Sequence, residues 1–396
     1  MLRPLHFLPI FASLLLLSLF ACSNEKSAIL TTPVGTKIRI DAAKSDVQLE
    51  KIQLPEGFSI EVWAADVPNA RSMALSESGI VFVGNRQEKN VYALVDENGD
   101  GKADSKYILA NNLRMPNGVA IKDGDLYVAE VSRILRFKDI EKNLENPTFE
   151  VVYENYPDEA HHGWKFIAFG PDGLLYIPVG APCNICVSEN PIFASITRLD
   201  VRNPGAKPEI YAHGVRNSVG MDWHPISKEL WFTDNGRDML GDDIPDCELN
   251  RATRFGQHFG YPYWHAGTIQ DPEVGSEGKE ASFYTLPAAK LGAHTAPLGI
   301  RFYEGDLFPA SYKHQLFIAK HGSWNRSKKS GYEVVLARMD STGTVTGQEA
   351  FATGWLDAES QEAWGRPVDV QELKDGSLLI SDDVANCIYR VTYTQH

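Results

Sequence analysis

Helical patterning is nearly absent from this chain. Apolar residues hardly ever recur at the three-to-four spacing of an amphipathic helix, which excludes a helical bundle. No Gly-x-Gly-x-x-Gly follows a strand and opens a helix, so the chain offers no place for a dinucleotide. No basic excess exists either. Thirty-eight Lys and Arg stand against 52 Asp and Glu, and a formal charge of -14 argues against a nucleic-acid partner. Cysteine is scarce, at five residues, and Cys-x-x-Cys-His does not occur. Cys183-Asn-Ile-Cys186 is followed by Val187, so no haem is attached covalently and any electron carrier is a separate molecule.

The one long apolar run is N-terminal. Arg3 precedes an almost wholly apolar Leu14 to Phe20, too short to span a bilayer well. The run ends Leu19-Phe20-Ala21-Cys22-Ser23, which resembles a bacterial lipobox. It implies a signal peptide over 1–21 and a lipidated Cys22. A polar tether over 22–49 and a folded domain over 50–396 follow. The expected location is the periplasmic side of the outer membrane, held there by the lipid alone. Cys183, Cys186, Cys247 and Cys387 then remain, and four cysteines allow three pairings. A structural disulfide within Cys183–Cys186, or one from this loop to Cys247, is favoured over thiol chemistry, because no βαβ context surrounds the motif.

What the chain has in quantity is one repeated phrase. An apolar strand, a turn with Asp or Gly, a strand with an aromatic, then a strand ending in an apolar-Arg or apolar-Leu step recurs six times. The copies start at Met73, Asn117, Phe166, Val219, Leu298 and Val368. Early copies are spaced like one four-stranded blade each. The expectation is an all-β, six-bladed β-propeller of four-stranded antiparallel blades. Leu54-Pro-Glu-Gly-Phe-Ser-Ile-Glu-Val-Trp63 is expected to supply the outer strand that closes the ring with the last copy. The Gly256 to Leu298 insertion, rich in Gly, Pro, Tyr and Trp, reads as a long loop on one face.

Three copies carry candidate chemistry at their heads. His161-His162 precedes Gly170-Pro-Asp-Gly in the third, and an imidazole at a strand mouth can act as a general base near neutral pH. Arg216-Asn217 precedes the fourth, and Arg366 stands at the head of the sixth. This ordered set resembles the quinoprotein sugar dehydrogenases, over about Leu54 to Tyr393. The wording is nearest the L-sorbosone dehydrogenase-like branch, and the soluble glucose dehydrogenase is a more distant cousin. The resemblance implies pyrroloquinoline quinone (PQQ) and Ca²⁺ as cofactors, and a small sugar as substrate. A periplasmic acceptor such as a cytochrome c would reoxidise the quinone. His162 matches the base and His161 the substrate-contacting position. Arg216 and Asn217 match the quinone-contacting pair, and Arg366 a residue that holds PQQ carboxylates. Gly236 and Arg237 match backbone ligands of Ca²⁺. A second cation stands two positions after Arg366 in the glucose enzyme, where this chain has Val368; Lys329 or Arg326 is the expected substitute. His294 and Trp324 are expected in the same cleft.

A separate loop, Asp96-Glu-Asn-Gly-Asp-Gly-Lys-Ala-Asp104, places oxygens at Asp96, Asn98, Asp100 and Asp104 as in Ca²⁺ loops. Tyr107 stands where a bidentate Glu would be, so a weak structural Ca²⁺ site and a plain Asp/Gly turn both fit. Two other functions compete with the dehydrogenase. Met115-Pro-Asn-Gly-Val-Ala resembles a phrase of gluconolactonase-like metal-dependent lactone hydrolases, and a propeller can also be a non-catalytic binding module.

Overall fold

The structure is a computed structural model that describes residues 1, 32–41 and 47–395. Cys22 and the signal segment lie outside the described residues. Everything below concerns the unit Pro33–His396.

Among the described residues six blades follow one another along the chain, each built outward from an inner strand, beside a two-stranded ribbon of Trp264–His265 and Ile269–Gln270. The inner strands are Met73–Leu75, Gly118–Lys122, Ala168–Phe169, Met221–Trp223, Pro297–Phe302 and Pro367–Glu372. They open blades 1 to 6 in that order. Turn chemistry sets the hairpins. Lys122 pairs with Asp125 across a two-residue turn in which Asp123 and Gly124 have φ of 52° and 82°. A turn with two positive φ values matches the strand twist and favours Asp-Gly. The second strands are buried throughout in blades 3 to 6, as in Leu175–Val179, Leu230–Asp234, Leu316–Lys320 and Leu378–Asp382. Each is covered on both faces by neighbouring blades, so it reads as a continuous apolar run rather than an alternation.

The ring closes where the sequence suggests. Phe58–Ala64 pairs antiparallel with Cys387–Tyr393 and completes blade 6. Neighbouring blades are also tied by buried polar groups. Asp222 accepts the Phe302 N–H and Asp369 accepts the Met73 N–H, each at 2.8 Å. Inner strands approach so closely that a Cβ on Gly220 would stand 2.0 Å from the Leu298 carbonyl oxygen. Only glycine fits there.

The structure corrects two expectations and decides between two alternatives for the disulfide. Part of the tether is sheet: Lys37–Arg39 pairs with Ser105–Ala110 and gives blade 1 a fifth strand. The 256–298 insertion is not all loop. Gln257–His258 adds a parallel strand to blade 3, and Ala289–Ala293 is the fourth strand of blade 4. Of the two disulfides weighed, the one within Cys183–Cys186 forms, while Cys247 and Cys387 are free buried thiols. Cys247 sits inside the strand Asp246–Ala252, where packing fixes it.

Phe58 locks the closing strand. Its ring meets Phe308, Tyr312, Phe351 and Tyr393 at centroid distances of 4.8 to 5.1 Å. Phe58→Ala removes four edge and tilted contacts at once, and a loss of about 3 kcal/mol is expected by chemical denaturation. A loss below about 1 kcal/mol would show that closure does not depend on this cluster.

Candidate active site

Inner strands start, and second strands end, at the same face of the ring. A cavity of about 630 Å³ opens there. Arg71, Met115, the His161-His162 pair, Arg216-Asn217, His294 and Arg366 line it from the heads of the six inner strands. Arg86, Gly236, Asp238, His321 and Trp324 line it from the ends of second strands. The three heads singled out in the sequence therefore meet in one place.

His162 is buried and has a left-handed backbone, φ 50°. Gly180 makes room for it, since a Cβ there would lie 2.5 Å from the His162 Cβ. Nδ1 of His162 lies 2.9 Å from the Ala181 carbonyl oxygen. A carbonyl only accepts, so Nδ1 carries the proton and Nε2 keeps its lone pair. Burial, then the charges of Arg216 and His161, hold the imidazole well below its ordinary pKa. His161 packs against it at 4.0 Å between centroids and is lowered by burial and by Arg216. Both rings line the cavity.

Arg216 is buried, and its Nε and Nη2 donate to Asn184 O (3.0 Å) and Asn184 Oδ1 (2.8 Å). Nη1 donates to Asn235 O at 3.1 Å, and Nη2 lies 3.5 Å from Asp238. Asp234 takes the backbone N–H groups of both Arg216 and Asn217. Arg366 donates to the carbonyls of His321 and Gly322 and lies over the Tyr332 ring. Arg86 lies 3.9 Å from the Trp164 ring centroid. Among the described residues neither Arg86 nor Arg366 has a carboxylate partner for its guanidinium. Burial pushes the pKa of Arg86, Arg216 and Arg366 down, and the charge of Arg71 adds to this for Arg86 and Arg366.

The expected second cation is corrected. Lys329 and Arg326 do not line the cavity. Lys329 Nζ donates to Gln361 O at 2.6 Å, and Arg326 pairs with Asp243 at 2.9 Å. Arg71 and Arg86 line the cavity instead. Arg71 pairs with Asp383 at 2.6 Å, and His321 shares the same carboxylate at 2.8 Å. Burial pushes His321 down to about 4. Arg71 could have been found from the repeat, because it stands at the head of its inner strand as Arg366 does.

His294 lines the cavity, with Nε2 donating to Gly241 O at 2.8 Å and Nδ1 3.6 Å from Asp238. Trp324 stands at the rim, 71% exposed. Gly236 lines the cavity, whereas the Arg237 side chain is buried against Asp271 (2.5 Å) and Glu273 (2.7 Å). The Asp96 to Asp104 loop joins the third and fourth strands of blade 1, at the opposite face. Asp96 accepts the N–H groups of Gly99 and Gly101, Asn98 that of Asp100, and Asp104 that of Glu97. Among the described residues no three His, Cys, Asp or Glu are grouped to hold a metal. Asn117 of the lactonase-like phrase is buried behind the cavity. It bonds Arg71 at 2.6 Å, Ser72 at 3.0 Å and Lys165 O at 2.9 Å, so it is no free ligand.

Beside Arg216 lies a second, water-sized space bounded by Asp234, Glu248 and Tyr261. Asp234 and Glu248 face each other across paired strands, both buried. Burial raises Asp234 to about 6; burial and Asp234 together raise Glu248 to about 8. Between its ordinary value of 4.5 and 8, folded Glu248 holds a proton that the unfolded chain has lost. Stability contributed by this group therefore falls as pH rises through that window. Glu248→Gln, measured with chelator present, is expected to stabilise by about 1–3 kcal/mol at pH 8.5 and by much less at pH 5. An equal effect at both pH values would sink the assignment.

Comparison with known proteins places this geometry. The sequence matches the family "Domain of unknown function (DUF7133)" over residues 44–390. An uncharacterized protein of Borreliella burgdorferi is 32% identical over 356 residues, covering 86% of this chain and 91% of that one. The aldose sugar dehydrogenase YliI of Escherichia coli is 29% identical over 122 residues, 30% of each chain. The holo PQQ domain of Coprinopsis cinerea pyranose dehydrogenase superposes with a TM-score of 0.72 at 16% identity, covering 86% of this chain and 97% of that one. The six-bladed fold of a PQQ-dependent sugar dehydrogenase is thus the fold found here, and the chain belongs to the DUF7133 family.

Proposed function

We propose that the protein is a PQQ-dependent dehydrogenase that oxidises a hydroxyl of an aldose or of a hydrated sugar aldehyde. The observation that carries this reading is the cavity itself: a neutral imidazole with a free Nε2 faces four guanidinium groups. Two of the four lack a carboxylate. PQQ is a tricarboxylate, and burying it against unpaired guanidiniums relieves an existing electrostatic cost. The donor set therefore fits the cofactor. Arg366, Arg86 and Arg71 would hold carboxylates, and Arg216 with Asn217 would face the reactive part of the ring. When bound, PQQ supplies the two-electron acceptor that the side chains lack.

The residues of the chain do the rest. A sugar carbon gives up hydride easily only when its hydroxyl proton leaves as well. Nε2 of His162 would take that proton, and Nδ1–H on Ala181 O supports that tautomer. Arg216 sets a fixed positive charge beside the imidazole, where negative charge on an oxygen in the cavity would be stabilised. His161 stands on the substrate side of this pair. A Ca²⁺ would take backbone oxygens at Gly236 and Arg237, with further oxygens from the ligand, since among the described residues no side-chain cluster completes its shell. The lipobox-like segment supports a lipid-anchored periplasmic protein, and a cytochrome c or similar carrier would accept the electrons.

Titrating the purified domain with PQQ and Ca²⁺ by absorbance, then assaying dye reduction over a panel of aldoses and sugar aldehydes, tests this. His162→Ala is expected to cut turnover by about 10²–10⁴ while PQQ still binds. Because His162 is held below its ordinary pKa, the acid limb of kcat/KM is expected below pH 6.5. Failure of the wild type to bind PQQ at micromolar concentration with Ca²⁺ present would end the proposal.

Arg86→Ala and Arg366→Ala each remove a cation that has no ion-paired carboxylate among the described residues. Each is expected to weaken PQQ binding by at least about tenfold without lowering Tm. Unchanged affinity in both would assign these guanidiniums elsewhere.

A further inference from the structure

We propose that Asn184 is the positioning residue for the Arg216 guanidinium, and that the Cys183–Cys186 bridge holds Asn184 in place. The role given to Arg216 rests on the dehydrogenase reading above.

The loop from Ala181 to Cys186 follows the second strand of blade 3 and runs behind Arg216. Asn184 serves two partners with three polar atoms. Its carbonyl and its Oδ1 accept from Arg216 Nε and Nη2, at 3.0 and 2.8 Å. The same Oδ1 accepts the Asp238 N–H at 2.9 Å, and Nδ2 donates to Asp238 O at 3.0 Å. Both ends of the amide are used, so its orientation is defined. The loop also reaches the base. Ala181 O accepts from His162, and Ala181 N donates to Arg216 O at 2.8 Å. One short segment thus fixes the base and the cation from behind, through main-chain atoms that must not drift.

Nothing regular holds this segment, which contains no strand. The bridge closes a ring of four residues around Asn184, and Tyr261 anchors it by accepting the Cys186 N–H at 3.2 Å. Both cysteines are half-buried, within reach of a reductant. Two electrons and two protons from dithiothreitol would open the bridge to two thiols, the reagent closing to its own cyclic disulfide.

Four forms decide the matter: Asn184→Ala, Asn184→Asp, the Cys183→Ser/Cys186→Ser double variant, and wild type treated with dithiothreitol. Asn184→Ala, the double variant and the reduced wild type are expected to lose about 10- to 100-fold in kcat, with KM and PQQ affinity within about threefold. Asn184→Asp keeps the acceptor oxygen towards Arg216 but loses the donor to Asp238 O, and its kcat is expected to fall less than that of Asn184→Ala. Amide exchange at Asp238, read with no cofactor added, is expected to speed by about tenfold or more in the three impaired forms. Wild-type kcat in Asn184→Ala, or unchanged Asp238 exchange in both that variant and the bridge-free protein, would overturn the proposal. If wild type itself fails to bind PQQ, the dehydrogenase reading falls and the exchange result alone decides whether the brace exists.

Discussion

Ring closure is the constraint on which the rest of this structure depends. The pairing of Phe58–Ala64 with Cys387–Tyr393 gives blade 6 its outer strand and brings the two ends of the domain together. Only then can Arg71, at the head of blade 1, reach Asp383 at the end of the second strand of blade 6. His321 of blade 5 binds the same carboxylate, so one Asp joins three blades at the cavity wall. Against its burial, His321 and Arg71 hold Asp383 well below the usual carboxylate range. The charge pattern of the site is thus a consequence of closure, built from groups more than 300 residues apart.

The cavity wall carries two kinds of cost. Met115, His162, His294 and Ala296 all line it, and all have positive φ, from 49° to 59°. Such conformations in non-glycine residues cost of order 1 kcal/mol or more and persist where surrounding structure fixes them. Buried guanidiniums without an ion-paired carboxylate, Arg86 and Arg366, add a second cost. Strain and uncompensated charge meeting in one concavity are hallmarks of a ligand site. Asp382 shows the opposite arrangement. Its carboxylate is buried but takes the N–H groups of Arg366, Val384 and Ala385 and the Tyr389 hydroxyl, and so serves the fold.

The fold was legible because each blade repeats its own local chemistry. Asp-Gly turns, twice-buried second strands and the Phe-Ser-Ile-Glu-Val-Trp strand all follow from short-range rules. His162, Arg216 and Arg366 were legible because the head of an inner strand is a fixed place in every repeat. Arg86 was not, since it follows a second strand and its value comes from Trp164, two blades along. Lys329 was misplaced for the converse reason. It is near the site in sequence, but a main-chain carbonyl at Gln361 takes its ammonium. The choice among cysteine pairings also lay outside local rules, because Cys247 is confined by a sheet register the sequence does not display.

Two length scales of charge act on the proposed cofactor. At long range it meets a protein of formal charge -14, which opposes the approach of a tricarboxylate. Salt screens that field within about 10 Å, whereas the guanidiniums act inside a concavity where screening is weak. The balance favours a ligand that arrives slowly and is held firmly once seated, as a resident cofactor should be. A neutral sugar feels neither field strongly and can exchange freely through the same mouth. On the proposed reading, the separation of an acidic exterior from a cationic cavity would sort a retained anion from a passing neutral substrate.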